Sequence, residues 1–126
     1  MMKKTVSTDK APGAIGPYSQ AVWCGDVLYC SGQLGLDPAT GKLAGDDVAA
    51  QAEQAMKNVQ GLLASQGLTT ANVVKALVFL TDMGNFKAFN EVYGRYFQAD
   101  PPARSCVAVS ALPLGGLVEI EVIAGK

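Results

Sequence analysis

The sequence contains no histidine, and this absence excludes several kinds of catalytic site. Serine or cysteine nucleophiles that rely on an imidazole base need a histidine, and so do most catalytic zinc sites. Any proton transfer must therefore use a carboxylate, a tyrosine, a lysine, a thiol or an ordered water molecule.

Charged residues are also scarce, at 17% of the 126 residues, and the formal net charge is −1. No run of lysine or arginine occurs, so the sequence lacks the basic footprint of proteins that bind nucleic acid or anionic membranes. Hydrophobic residues make up 49% of the chain. A small protein with this much apolar sequence and this few charged residues is expected to have part of its apolar surface covered by a partner subunit.

Long apolar runs and paired cysteines are missing as well. No apolar run approaches the roughly 20 residues that span a bilayer, and no apolar segment follows the two N-terminal lysines as it would in a secretory signal. The three cysteines, Cys24, Cys30 and Cys106, show no CxxC spacing. This combination is typical of reduced thiols, so we expect a cytoplasmic protein. The length predicts a single domain over residues 1–126.

The hydrophobic pattern predicts both strands and helices. In chain order, the predicted elements are strands at residues 5–7, 21–24 and 27–31, a helix from Asp46 or Asp47 to Gln66, a strand at residues 74–81, a helix from residue 84 or 85 to 98, and two strands within residues 101–125. The mostly apolar strand at 74–81 is expected to be buried on both sides. The fold class is therefore α+β, with two helices on one face of a mostly antiparallel sheet.

Residues 101–125 are interpreted as a hairpin that turns at residues 113–116. Alternation along its strands places Arg104, Cys106, Glu119 and Glu121 on one face and aliphatic side chains on the other. A fixed cation, carboxylates and a thiol on one face indicate a ligand site, although a polar sheet face can also be simply solvated.

The register of this hairpin leads to a hypothesis about assembly. If the turn is centred between Leu114 and Gly115, Ser110 pairs with Glu119, and Arg104 lies roughly 20 Å away along the strand. A small ligand cannot touch both side chains at that separation. We therefore expect the Arg104 and Glu119 of one working site to come from different subunits.

Several segments resemble the Rid (YjgF) family of reactive-intermediate deaminases, close to the RidA type. The similar segments are AIGPYSQA at residues 14–21, SGQ at 31–33, VFLTD at 78–82, FNEVY at 89–93, PARSCV at 102–107 and VEIE at 118–121. They are spread over essentially the whole chain. The resemblance implies a chorismate-mutase-like α+β fold, assembled as a homotrimer with the sheets turned inward into a barrel-like core and a ligand cleft at each subunit interface.

The resemblance also implies an activity. Family members of this type hydrolyse reactive 2-enamine and 2-imino acids, such as 2-aminoacrylate and 2-aminocrotonate, to 2-keto acids and ammonia without a cofactor or metal. These intermediates come from pyridoxal-phosphate enzymes, so the role is protective. By resemblance, Arg104 binds the substrate carboxylate and Glu119 positions or activates water. The residues expected to line the cleft are Tyr18, Ser31, Gly32, Asn90 and Cys106.

The chemistry of these residue types agrees with that activity, because the planar fork of an arginine suits a carboxylate. Other interpretations remain open: Arg104 can form a surface salt bridge, Glu119 can be solvated, and Cys106 can be a packed thiol. Two other functions also remain open. One is a non-catalytic protein that binds 2-keto acids or amino-acid-derived ligands, and the other is an endoribonuclease, which the lack of a basic groove disfavours.

Overall fold

The structure is a computed structural model that describes residues 2–126. Its strands and helices are β1 (Lys3–Val6), β2 (Ala21–Cys24), β3 (Val27–Cys30), β4 (Gln33–Leu34), α1 (Val48–Ser65), β5 (Val73–Leu80), α2 (Phe86–Tyr96), β6 (Ala103–Ala108) and β7 (Val118–Gly125). Short 3₁₀ turns occur at Thr70–Asn72, Met83–Asn85 and Pro113–Gly115. Within residues 2–126, neither helix combines the length and the apolar character needed to cross a membrane.

All seven strands belong to one sheet with the order β1-β2-β3-β7-β5-β6, and β4 pairs with β7 beyond the end of β3. Neighbouring strands are antiparallel except for β5 and β6, which are parallel. This confirms the α+β class and the mostly antiparallel sheet that the sequence predicts. The sheet ends at β6, the strand that carries Arg104.

The two helices form close to the predicted positions. The Asp47 carboxylate accepts a hydrogen bond of 2.8 Å from the backbone N–H of Ala50 and caps the start of α1. After α1, Gly67 adopts the left-handed conformation with φ 74°, as expected of a glycine that follows a helix. Helix α2 ends at Tyr96, two residues before the predicted end.

Both helices pack on one face of the sheet and build a single core there. Among its fully buried side chains are Met56 and Leu62 of α1, Phe89 of α2, Val78 of β5 and Ile120 of β7. The other face of the sheet carries apolar side chains that the chain itself leaves partly open. Val74 is 58% exposed on β5, so in the single chain this strand is buried on one side rather than on both as predicted.

The predicted C-terminal hairpin is wrong. Strands β6 and β7 do not pair with each other, because β5 lies between them, parallel to β6 and antiparallel to β7. A hairpin would leave β5, an apolar strand of eight residues, with an unpaired edge, whereas insertion satisfies its backbone groups on both sides. The segment between β6 and β7 therefore crosses over β5 instead of making a tight turn.

The insertion of β5 also changes which side chains share a face. Ala76 of β5 pairs with Arg104, and Phe79 of β5 pairs with Glu119. Directly paired residues project to the same face of a sheet. Arg104 therefore lies on the helix-covered face with buried Ala76, and Glu119 lies on the opposite face, so the prediction of one shared polar face is wrong. Arg104 and Glu119 are three residue positions apart along the strand direction and two strands apart across the sheet. Their Cα atoms are therefore separated by roughly 14 Å.

Candidate active site

A cavity of about 380 Å³ opens beside the N-terminal end of β7. Its lining includes four residues that the sequence singles out, Tyr18, Ser31, Gly32 and Glu119. Its apolar lining includes Ile15, Leu34, Leu36 and Leu114. We call this group of residues the Glu119 cavity. A carboxylate in an otherwise largely apolar concave site is typical of a small-molecule site.

A bulge in the sheet shapes the floor of the Glu119 cavity. Four residue steps separate Tyr29 of β3 from Gln33 of β4, whereas three steps separate their partners Ile123 and Ile120 on β7. The extra residue falls at the junction of β3 and β4, which contains Ser31 and Gly32, and extra residues of this kind re-aim the neighbouring side chains. The Ser31 hydroxyl donates a 2.6 Å hydrogen bond to the Ser19 carbonyl and so fixes this junction to the preceding loop.

The Glu119 carboxyl group lies directly against Gly32. A Cβ atom at position 32 would lie 2.8 Å from Cδ and 3.0 Å from Oε2 of Glu119. The missing side chain of Gly32 therefore leaves the space that the carboxyl group occupies. Burial raises the pKa of the Glu119 carboxyl group, and the neighbouring Glu121 raises that pKa further. An elevated pKa makes Glu119 a better proton acceptor once it is ionised.

Buried amide side chains hold the loops around the Glu119 cavity, and sequence reasoning missed them. Gln20 is 4% exposed, and it donates to the carbonyls of Thr8, Ala11 and Pro12 while accepting from the Thr8 N–H. These bonds fix the N-terminal segment that borders Tyr18. No periodic signal marks Gln20, because it immediately precedes a short strand in a loop-rich region.

Two amides of α1 act in the same way on the other side of the cavity. Gln51 donates to the Gly45 carbonyl and accepts a 2.8 Å bond from the Leu117 N–H. Asn58 donates to the carbonyls of Leu34 and Leu36, both of which line the cavity. The sequence could have indicated the roles of Gln51 and Asn58, because both residues fall on the apolar stripe of the helix. A polar residue on such a stripe needs a hydrogen-bond partner inside the protein.

Arg104 lies outside the cavity, in a half-buried position between β6 and α2. Its Nη1 donates a 2.8 Å hydrogen bond to Oδ1 of Asn90. The salt-bridge alternative finds no support in the described part of the chain, where Arg104 forms no ion pair with any carboxylate. An arginine has five N–H donors, so donors remain for an external anion.

Cys106 follows Arg104 on the same face of β6 and is also half-buried. Burial raises the pKa of its thiol, and the positive charge of Arg104 opposes part of that increase. A thiol whose net pKa is raised stays protonated at neutral pH, which disfavours a thiolate nucleophile. Together Asn90, Arg104 and Cys106 form a second group, which we call the Arg104 corner.

The fold of one chain thus brings the predicted site residues together as two groups rather than one. The sequence of this chain was also compared with known families, and the profile of the family described as "Endoribonuclease L-PSP" matches residues 8–126. Protein DfrA of Myxococcus xanthus is 53% identical over 126 residues, covering 98% of this chain and 96% of that protein.

Two further comparisons identify the family. The 2-iminobutanoate/2-iminopropanoate deaminase of Bos taurus is 52% identical over 124 residues, covering 98% of this chain and 90% of that protein. The crystal structure of YyfA from Yersinia pestis, a protein of the Rid family, matches with a TM-score of 0.96 and 46% identity, covering 99% of this chain and all of that one. The chain belongs to the Rid (YjgF) family. The resemblance to the Rid family and the α+β fold of the single chain are confirmed.

Proposed function

We propose that this protein hydrolyses reactive 2-imino and 2-enamino acids, such as 2-aminoacrylate and 2-aminocrotonate, to 2-keto acids and ammonia. The observation that carries the proposal is the state of Arg104, a half-buried cation without a carboxylate partner among residues 2–126. A cation in this position is suited to an anionic ligand, and its planar fork matches a carboxylate. The names of relatives such as the Bos taurus deaminase support the same substrate class.

In the proposed mechanism, Arg104 binds the substrate carboxylate and Glu119 acts on water. The enamine first takes a proton from water on its carbon and becomes an imine, whose C=N carbon is electrophilic when the nitrogen is protonated. Ionised Glu119 then accepts a proton from a water molecule as the water oxygen bonds to this carbon and the C=N π electrons move to nitrogen. Glu119 next returns its proton to the nitrogen, and the C–N bond breaks with its electron pair leaving on ammonia. The hydroxyl proton passes to the Glu119 carboxylate as the C=O bond of the keto acid forms, and Glu119 then releases that proton to water or ammonia.

The burial of Glu119 fits the proton transfers of this mechanism. The raised pKa of its carboxyl group lets it hold the proton of water more readily than an exposed glutamate does. Holding the substrate and the water molecule in position supplies the rest of the rate enhancement. The proposed reaction uses no metal and no cofactor. Tyr18 and Ser31 then contribute polar groups to the wall of the cleft.

We further propose that the protein is a homotrimer and that each site joins the Arg104 corner of one subunit to the Glu119 cavity of the next. Within one subunit, the Cα atoms of Arg104 and Glu119 lie roughly 14 Å apart, and their side chains point to opposite faces of the sheet. One small substrate therefore cannot contact both side chains of the same subunit. The apolar open face supports assembly, since it carries Tyr29 and Val107, each 48% exposed. The position of Arg104 on an edge strand also favours contact with a neighbour.

A trapping assay tests the activity. An amino-acid oxidase generates imines from several amino acids, semicarbazide captures them, and the assay measures whether the protein removes imine before capture. We expect wild type to lower the yield of trapped product and Arg104→Ala and Glu119→Gln to leave it high. Arg95→Ala is the matched control, because its guanidinium is exposed and pairs with Glu53.

Unchanged trapping by wild type across all imines tested would contradict the deaminase. In that case, binding of 2-oxobutanoate that is lost in Arg104→Ala and kept in Glu119→Gln would indicate the non-catalytic binding protein instead. RNA cleavage with a steep dependence on salt would indicate a nuclease, which a formal net charge of −1 does not favour.

A further inference from the structure

The guanidinium of Arg104 lies on a bed of three aromatic rings from α2. Its Cζ atom is 5.6 Å from the centroid of Phe86, 5.9 Å from that of Phe89 and 4.9 Å from that of Tyr93. These residues, together with Asn90, stand at helical spacings of three, four and seven, and therefore share one face of the helix. One short helix thus supplies both the rings and the hydrogen-bond acceptor that hold Arg104.

We propose that this ring bed, formed by Phe86, Phe89 and Tyr93, is a positioning device that fixes the orientation of Arg104 for carboxylate binding. The proposal rests on the proposed function, in which Arg104 receives the substrate carboxylate. An arginine side chain has many rotamers, and a free one must be ordered each time a ligand binds. The three rings close to the guanidinium, with Asn90 on Nη1, restrict it before the ligand arrives.

The arrangement also keeps the charge available. The attraction between a cation and ring faces holds the guanidinium without a negative group, and Asn90 is a neutral acceptor. An aspartate or glutamate in their place would hold Arg104 equally firmly but would neutralise the charge that an anionic ligand needs. Positioning by neutral groups therefore explains why a half-buried arginine has no acidic partner in the described residues.

The Tyr93 hydroxyl shows that the ring, rather than the phenolic group, is what this position supplies. Its oxygen is buried and has no hydrogen-bond partner among residues 2–126. A buried hydroxyl without a partner is unfavourable, so Tyr93→Phe is expected to keep the ring bed intact and to leave stability unchanged or slightly higher. Tyr93→Leu removes the ring itself.

The test compares Phe86→Leu and Tyr93→Leu with two controls, Tyr93→Phe and Phe97→Leu. Phe97 is a suitable control because it is a buried aromatic residue at the end of the same helix, and its ring packs on that of Tyr93 at 4.7 Å. Three quantities are measured: KM and kcat for imine hydrolysis, the Kd of 2-oxobutanoate, and the NMR signal of the Arg104 Nε–H group, which nearby rings shift without any ligand.

We expect the two ring-removing variants to raise KM and Kd by about 5-fold to 10-fold, with kcat within about 2-fold of wild type. The Arg104 Nε–H signal should lose its ring-induced shift in these variants only. In both controls, KM, kcat and Kd should remain within about 2-fold of wild type, and the Arg104 Nε–H signal should keep its ring-induced shift. A loss of folding stability alone would lower the amount of active protein without changing KM or Kd, which separates positioning from a merely structural role.

Asn90→Asp supplies a second variant that does not depend on core packing. The aspartate is nearly isosteric and accepts a stronger bond from Arg104, so the fold should be kept or stabilised. It also neutralises the guanidinium, so Kd for 2-oxobutanoate should rise at least as much as in Phe86→Leu. A Kd equal to that of wild type would contradict the requirement for neutral positioning groups.

The outcomes for the ring bed and for the deaminase are distinguishable. A wild-type protein that hydrolyses no imine but binds 2-oxobutanoate, with weaker binding in Phe86→Leu, would overturn the deaminase and leave the ring bed standing. Unchanged KM, Kd and Nε–H signal in both ring-removing variants would overturn the ring bed, as would an equal effect of Phe97→Leu. Failure of wild type to bind 2-oxobutanoate at all would also overturn it.

Discussion

The Glu119 cavity and the Arg104 corner hold opposite charges by different physical means. The cavity positions its carboxyl group through the backbone, with a sheet bulge, the missing side chain of Gly32 and loops fixed by buried amides. The corner positions its cation through side chains, with three rings and Asn90 on one face of α2. The first arrangement is sensitive to backbone space, and the second is sensitive to the identity of side chains.

The largest expected effects come from removing the two charges, and they should differ in kind. Glu119→Gln removes the proposed proton acceptor, so we expect kcat to fall by about 10²- to 10⁴-fold with little change in KM. Arg104→Ala removes the carboxylate partner, which costs about 2–4 kcal/mol of binding and should appear mainly as a higher KM. Steady-state kinetics of imine hydrolysis separate the two. The same kinetic change in both variants would contradict the division of roles.

The next effect concerns the space that Gly32 leaves for Glu119. In Gly32→Ala the new methyl group would lie 2.8 Å from Glu119 Cδ, so the carboxyl group must move away. Displacement of a reacting group by about 1 Å lowers the rate by roughly 10- to 100-fold, so kcat should fall by that order. Folding stability should change little, because a flexible side chain yields rather than the backbone.

Gly13→Ala is the matched control for this variant. Gly13 also lines the cavity, but a methyl group there would meet no atom within 4 Å. We expect its kcat to equal that of wild type. If Gly13→Ala and Gly32→Ala lowered kcat equally, crowding of the cavity rather than displacement of Glu119 would be responsible.

The smallest effect concerns the pH dependence of the reaction. The negative charge of Glu121 contributes to the raised pKa of the Glu119 carboxyl group, after burial. Removing that charge in Glu121→Gln lowers the pKa of Glu119, so the acidic limb of the kcat profile should move to lower pH. Asp26→Asn, at an exposed turn between β2 and β3, gives the same change in net charge and should leave the limb in place. A movement to higher pH in Glu121→Gln would contradict the assignment of the limb to Glu119.

The local elements could be predicted from the sequence because their signals are local. The cap at Asp47, the glycine that ends α1 and the apolar stripe of each helix depend on neighbours a few residues away. The helix-face spacing of Phe86, Asn90 and Tyr93 was visible in the same way, although nothing in the sequence showed that Arg104 would lie upon it.

The long-range pairing could not be predicted from local signals. The turn residues 113–116 are compatible with a hairpin, and only the competing gain from pairing β5 on both edges explains why β6 and β7 separate. The predicted separation of Arg104 from Glu119 rested on that wrong hairpin. The structure still places the two residues far apart, now for a different reason, because they lie on opposite faces of the sheet. The bulge beside Gly32 could not be predicted from local signals either, because it depends on the register of β3 and β4 with the distant strand β7.

In the proposed assembly, one working site takes Arg104 from one subunit and Glu119 from another. The most direct test is to co-express Arg104→Ala and Glu119→Gln chains with different affinity tags and to purify assemblies that carry both tags. In a cyclic trimer every mixed assembly contains one site with both native residues, so we predict about one third of wild-type turnover from two nearly inactive chains. Turnover no higher than that of the two single variants would contradict the shared site, since a site within one chain cannot be restored by mixing.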